Sequence, residues 1–153
     1  MSGPEFRRVA TIFNYFFGKV DPVLPKEGYK LVFSPKSGRV KQIYHDGKLF
    51  ATIRPDGSVA LTSYSALKLL KSKRFLENCI YIKLEASEFI KKGMSVFNKF
   101  VVKAGRNIRP GGEVVILDES GKPLAIGTSL LSWKYMREFK RGIAVKVRKC
   151  IEE

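Results

Sequence analysis

The chain is poor in the residues from which most catalytic and metal sites are built. Its 153 residues contain one histidine, His45, and two cysteines, Cys79 and Cys150. No Cys or His spacing fits a zinc site. A single histidine and 14 acids supply little material for general acid–base work. Asp118 and Glu119 fall in a stretch of turn composition, where solvation accounts for them. The pair Gly111-Gly112 is followed by Glu113, so the loop lacks the lysine of a phosphate-binding P-loop. No apolar run approaches the ~20 residues of a membrane span. The N-terminus shows no basic segment leading into an apolar stretch, which points to the cytoplasm. An enzyme, a metalloprotein and a membrane protein are all disfavoured, and no cofactor or metal is expected. His45, beside a hairpin turn, reads as a surface or edge-strand residue. Cys79 and Cys150 lie in or beside apolar strand-like runs and read as buried free thiols, with a disulfide between them as the rarer alternative. Met1 to Glu5 is given no structural weight.

What the chain has is positive charge on a folding sequence. Lys and Arg number 29, the net charge is +15, and 44% of residues are hydrophobic. The excess is spread, +9 on residues 1–74 and +6 on residues 75–153. Spread basicity on a globular chain fits a polyanionic partner.

The pattern of elements is α+β. Phe6 to Phe17 has apolar residues at 6, 9, 12, 13, 16 and 17, a helical spacing that leaves Arg7 and Arg8 on other faces. After a loop containing Pro22 and Pro25 come short strand signals at 29–34, 40–45, 49–53 and 58–61. Asp46-Gly47 is a strong hairpin turn. Thr62 or Ser63 can cap a helix from Tyr64 to about Lys73. The basic break Lys71 to Arg74 marks a boundary, dividing a first domain, 1–74, from a second, 75–153. In the second, strands are expected at 79–84, 96–102, 113–117, 124–128 and 143–148. Short helices fall at 86–92 and from Ser129 or Ser132 to about Lys140. Many short strands in under 80 residues suggest a closed or nearly closed barrel.

Two stretches carry the functional argument. In Lys91 to Lys103 and in Phe139 to Lys149, a glycine follows basic residues and precedes an alternating apolar strand. Glycine lets the backbone approach a partner, and the flanking cations favour a polyanion. Lys91, Lys92, Lys99, Lys103, Arg106 and Arg109 surround the first glycine and the loop after it. Lys140, Arg141, Lys146, Arg148 and Lys149 surround the second. Alternation in the last strand is expected to put Lys146 and Arg148 on one face, with Val145 and Val147 toward the core.

Residues 79–149 resemble a PUA domain, an RNA-binding module. The resemblance rests on the ordered set Lys92-Gly93, SVFNKFVV, Ile108-Arg109-Pro110-Gly111-Gly112-Glu113-Val114, Leu124-Ala125-Ile126-Gly127-Thr128, Ser132 with Met136, and Lys140 to Val147. The first half is similar to the small domain preceding PUA at the C-terminal end of archaeosine tRNA-guanine transglycosylases. Here the resembling residues are Arg8-Val9-Ala10, Phe17-Gly18, Ser37 to Val40 and Asp46 to Pro55. The resemblance implies a small antiparallel sheet with helices followed by a PUA pseudo-barrel, in an archaeal protein that binds structured RNA, tRNA first. It carries an RNA-binding role onto Lys92, Gly93, Phe97, Lys99, Arg141, Lys146 and Arg148, with Phe97 either on that surface or in the core; Lys91, Lys103, Arg106 and Gly142 of the two basic stretches complete the expected RNA face. The transglycosylase catalytic barrel and zinc cysteines are absent. The expected protein is therefore a non-catalytic RNA binder. Its alternatives are the RNA-holding subunit of a split tRNA-modifying enzyme and a translation-associated factor.

Overall fold

In the computed structural model, which describes residues 3–151, the chain divides into two compact units between Phe75 and Leu76. The first begins with α1, Pro4–Phe17. Pro4 stands in the first turn, where a missing N–H costs nothing, and Glu5 meets the positive end of the helix dipole. Pro4 and Glu5 are thus part of the helix, contrary to expectation, while Met1 and Ser2 lie outside the described residues. The helix buries Phe6, Val9, Ala10, Phe13 and Phe17, and Arg7 and Arg8 remain exposed. Asn14 Oδ1 accepts from the N–H groups of Val20 and Asp21, at 2.9 and 3.1 Å, turning the chain out of α1.

Four antiparallel strands follow in sequential order: β1 (Tyr29–Phe33), β2 (Val40–His45), β3 (Lys48–Ile53) and β4 (Val59–Leu61). Between β2 and β3 the turn residues Asp46 and Gly47 both have positive φ, 48° and 81°, the twist that a two-residue hairpin needs. Helix α2, Ser63–Leu69, is capped by Thr62 in a reciprocal capping box with Ser65. It stops four residues short of the expected Lys73. Its last carbonyls are taken in the tighter i→i+3 manner by Lys71 and Ser72, whose N–H groups reach Lys68 O and Leu69 O. The core of this unit is aromatic: Phe13 packs on Phe17 and Phe50, and Phe17 on Phe75.

His45 is a correction. β2 is an interior strand, and His45 is only 6% exposed, enclosed by Tyr29, Phe50 and Tyr64. Its Nδ1 is 2.6 Å from the Tyr64 hydroxyl. A buried imidazole needs such a partner, and the partner comes from α2, 19 residues on.

The second unit is a six-stranded sheet in the order β6-β10-β9-β8-β5-β7. Its strands are β5 (Cys79–Ile82), β6 (Val96–Phe97), β7 (Val101–Ala104), β8 (Glu113–Asp118), β9 (Pro123–Ser129) and β10 (Ile143–Cys150). Helices α3 (Ser87–Lys91) and α4 (Trp133–Glu138) are short. The outer strands β6 and β7 are consecutive in the chain, joined by a single 3₁₀ turn at Asn98–Phe100. That link brings the two edges together, and the sheet is a nearly closed pseudo-barrel with no long free edge. The expected single strand over 96–102 is therefore broken in two. Asn98, fully buried, marks the break: its N–H donates to Gly142 O at 2.8 Å and its side-chain amide to Phe139 O at 2.6 Å. Ile80, Ile82, Ile90, Val114, Ile116, Leu124 and Val145 fill the interior. Ser132, not Ser129, caps α4 by accepting from Tyr135 N–H, and the helix ends at Glu138 rather than near Lys140.

Neither Cys79 nor Cys150 is in a disulfide. Burial pushes the Cys79 thiol far up from its ordinary range, so it is inert as a nucleophile. Cys150 is only half-buried, contrary to expectation, because β10 ends beside α3 and the thiol faces the carbonyls of Lys91 and Ile90 at 3.2 and 3.5 Å. Among the described residues no cluster of three His, Cys, Asp or Glu side chains could hold a metal ion. No described helix is long and apolar enough to cross a membrane.

Candidate nucleic-acid interface

Helix α3 ends where Gly93 takes φ 86° and its N–H bonds to Ile90 O at 2.9 Å. Glycine adopts this conformation at no steric cost, and most other residues only with strain. Nothing lies within 4 Å of the position a Cβ would occupy at Gly93, and the same holds at Gly142, whose φ is 87°. Both glycines thus serve the backbone turn and leave open space in front of it.

Pairing then brings the two glycine stretches together. Strand β6 runs antiparallel to β10, with Phe97 opposite Ile143 and Val96 opposite Val145. The other end of β10 reaches α3 through Cys150. Phe97 and Lys99 thus lie near Arg141 and Gly142 at the start of β10, Lys91, Lys92 and Gly93 lie toward its far end, and Lys146 lies between; all eight are exposed. Phe97 is 47% exposed and belongs to the surface rather than the core. With Phe89, Met94 and Phe100 it lines an apolar groove of about 230 Å³. Lys99 lies against the Phe100 ring, 5.1 Å from its centroid. Lys91 meets Glu88 at 3.5 Å, an exposed pair that holds it weakly.

Strand β10 is less regular than its spacing suggests. Ala144 and Val145 are both buried, and the register with β9 passes from Val147 to Lys149, leaving Arg148 at a bulge. Arg148 pairs with Glu113 on β8, whose side chain is only 3% exposed. Arg148 is therefore engaged in bracing the sheet, unlike Lys146.

Lys103 and Arg106 fall elsewhere. Lys103 is on β7, opposite Tyr81 of β5, and Arg106 follows that strand. They line a separate groove of about 300 Å³ together with Trp133 and Arg137 of α4 and with Lys140. The Arg106 guanidinium lies 5.7 Å from the Trp133 ring centroid. Trp133 and Arg137 were not singled out from the sequence; their i, i+4 spacing beside Lys140 was the available signal. Arg109 is exposed on the loop before β8. In that loop the Gly111 N–H donates to Ser129 O at 2.7 Å and the Gly112 N–H to Arg109 O at 3.0 Å. Its amides are spent internally and cradle no phosphate.

Residues 78–151 match the family model described as PUA domain, and residues 7–75 that described as the patch-forming domain C2 of tRNA-guanine transglycosylase. The chain is 33% identical over 147 residues to tRNA-guanine(15) transglycosylase of Thermoplasma volcanium, covering 94% of this chain and 23% of that protein. To the enzyme of the same name from Thermococcus kodakarensis it is 34% identical over 152 residues, covering 99% and 26%. The chain thus spans about a quarter of the length of these curated relatives. A hypothetical protein of Pyrococcus horikoshii OT3 shares the fold, with a TM-score of 0.74 at 23% identity over 100% of this chain and 93% of that one. A C2 patch-forming domain followed by a PUA domain makes this chain a homologue of the C-terminal region of archaeal tRNA-guanine(15) transglycosylase.

Proposed function

We propose that the protein is a non-catalytic binder of structured RNA, with tRNA as its target and the acceptor-stem side as the part it holds. The observation that carries this reading is the line of five exposed cations running from α3's C-terminus past β6 to the start of β10, with an open glycine toward each end of β10 and an apolar groove beside β6. Lys91, Lys92, Lys99, Arg141 and Lys146 would neutralise backbone phosphates. The open backbone at Gly93 and Gly142 would admit a sugar–phosphate chain at close range. The exposed rings of Phe89 and Phe97 suit stacking on the terminal base pair of a helix end. The link to tRNA comes from the relatives, whose name is that of a tRNA-guanine(15) transglycosylase.

Filter binding of tRNA across a salt series tests it. Affinity should fall steeply as salt rises, and Lys92→Glu or Lys146→Glu should weaken binding about tenfold and flatten the slope by about one unit. Lys122→Glu, in the turn between β8 and β9, should do neither. A flat salt response, or equal effects from all three, overturns the reading.

Exposed apolar surface on the first unit favours one second reading, an RNA-holding subunit that serves a separately encoded catalytic chain. The first unit exposes Tyr15, Phe33 and Leu67, apolar area suited to such a contact. Purification from the native cell that recovers no transglycosylase chain counts against it.

A further inference from the structure

The groove between β7 and α4 stands apart from the glycine face and has a chemistry of its own. Its floor is apolar, closed by buried Met136, and its rim carries Lys103, Arg106, Arg137 and Lys140. None of these four side chains is in an ion pair with a carboxylate among the described residues, although the Glu77 carboxylate sits at the edge of the group and accepts from the Arg106 backbone N–H at 3.0 Å. Four cations around one small cavity favour an anion. The cavity also has a flat wall: Trp133 is half-buried, with the Arg106 guanidinium 5.7 Å from its ring centroid and Lys134 Nζ at 5.9 Å. Indole and guanidinium are both planar surfaces on which a base can stack. At about 300 Å³ the groove is at the lower limit of cavities that enclose small molecules, and a duplex cannot enter it.

We propose that this groove holds one unpaired nucleotide of the bound RNA, its base against Trp133 and its phosphates among Lys103, Arg137 and Lys140. The proposal rests on the RNA-binding reading above and assigns single-stranded RNA to this groove and base-paired RNA to the glycine face. A free anion would satisfy the cations alone, and an apolar ligand would satisfy the floor alone. A nucleotide satisfies both.

Trp133 is the chain's single tryptophan, so its fluorescence reports this groove and nothing else. The whole protein is titrated with pentaadenylate, with an abasic pentaribose phosphate of the same charge, with pyrophosphate, and with a blunt twelve-base-pair RNA duplex. Saturable quenching by pentaadenylate alone is expected. Trp133→Ala and Arg137→Glu should each lower pentaadenylate affinity about tenfold while leaving duplex affinity unchanged. Trp133→Phe, which keeps a stacking face, should bind pentaadenylate close to wild type. Equal quenching by the abasic chain or pyrophosphate shows a plain anion site and overturns the proposal. Duplex binding without any pentaadenylate signal overturns it while the glycine face stands. Parallel loss of duplex and pentaadenylate binding in Trp133→Ala or Arg137→Glu makes the groove merely structural and also overturns it. Failure of the wild type to bind any RNA removes both readings together.

Discussion

At the scale of single residues, position decides what each polar group is for. His45 and half-buried Tyr64 form a hydrogen-bonded pair inside the aromatic cluster of the first unit. Tyr64→Phe keeps the ring and removes the hydroxyl, leaving His45 Nδ1 without that partner. The expected cost is about 1–2 kcal/mol, seen as a lowered urea midpoint of the first unit with no change in RNA affinity. Gly93 poses a sharper question, because its positive φ alone would explain a glycine. Asn tolerates left-handed backbone, so Gly93→Asn should fold nearly as well as wild type. If the open space exists for a ribose-phosphate chain, the added side chain should cut RNA affinity by about tenfold or more in a filter assay. Wild-type affinity in that variant would restrict Gly93 to its role as a helix terminator. Gly127 is the contrasting case. A Cβ there would overlap Lys146 O and the Val145 side chain. Gly127→Ala is expected to destabilise the second unit by roughly 1–3 kcal/mol by forcing β9 and β10 apart, measurable by thermal melting.

At the scale of elements, the turns and strand ends hold the charge arrangement in place. The β8–β9 turn is organised on one oxygen: Asp118 Oδ1 accepts from Ser120 N, Ser120 Oγ and Lys122 N at 2.8, 2.6 and 3.0 Å. Burial pushes the Asp118 carboxyl up, but these bonds, led by the Ser120 hydroxyl, outweigh it and hold the carboxyl below its usual range. A depressed carboxylate stabilises the fold above the unfolded pKa of ~3.9, and that contribution is lost as pH falls through the lower folded value. Asp118→Asn keeps an acceptor and removes the charge. The second unit of this variant should therefore be less stable near neutrality and lose part of its acid-induced destabilisation below about pH 4, followed by circular dichroism. An unchanged acid limb would mean that Asp118 does not contribute.

Short-range chemistry was legible in these elements, and long-range partnership was not. Asp46-Gly47 announced its hairpin because both turn conformations belong to the two residues themselves. The helical spacing of Phe6 to Phe17 marked the buried face in the same local way. The break at Asn98 depends on Phe139, 41 residues away, and the engagement of Arg148 on Glu113, 35 residues away. No window on the chain contains both partners. For the same reason the eleven expected RNA-face residues resolve into a glycine face, a braced Arg148 and a second groove shared by Lys103 and Arg106. Ordered motif fragments, rather than periodicity, carried the fold of the second unit.

At the scale of the whole molecule, each unit has its own buried core, and the glycine face and the basic groove both lie within the second. A fragment of residues 76–153 should accordingly melt cooperatively and bind tRNA within about tenfold of the full chain in the filter assay. A fragment that folds yet does not bind would assign the affinity to the first unit, whose residues 1–74 carry the larger share of net charge.

The closure of the barrel also sets an order of events. In the first sheet each strand pairs with its neighbour in sequence, so that meander can form as it leaves the ribosome. In the second, β6 waits for β10, across more than 40 residues, and until that strand arrives both β6 and β9 lack a partner on one side. Lys146 and the glycine pair come into register at the same moment. A nascent chain that has not yet delivered β10 has neither a sealed barrel nor the glycine face proposed to hold RNA.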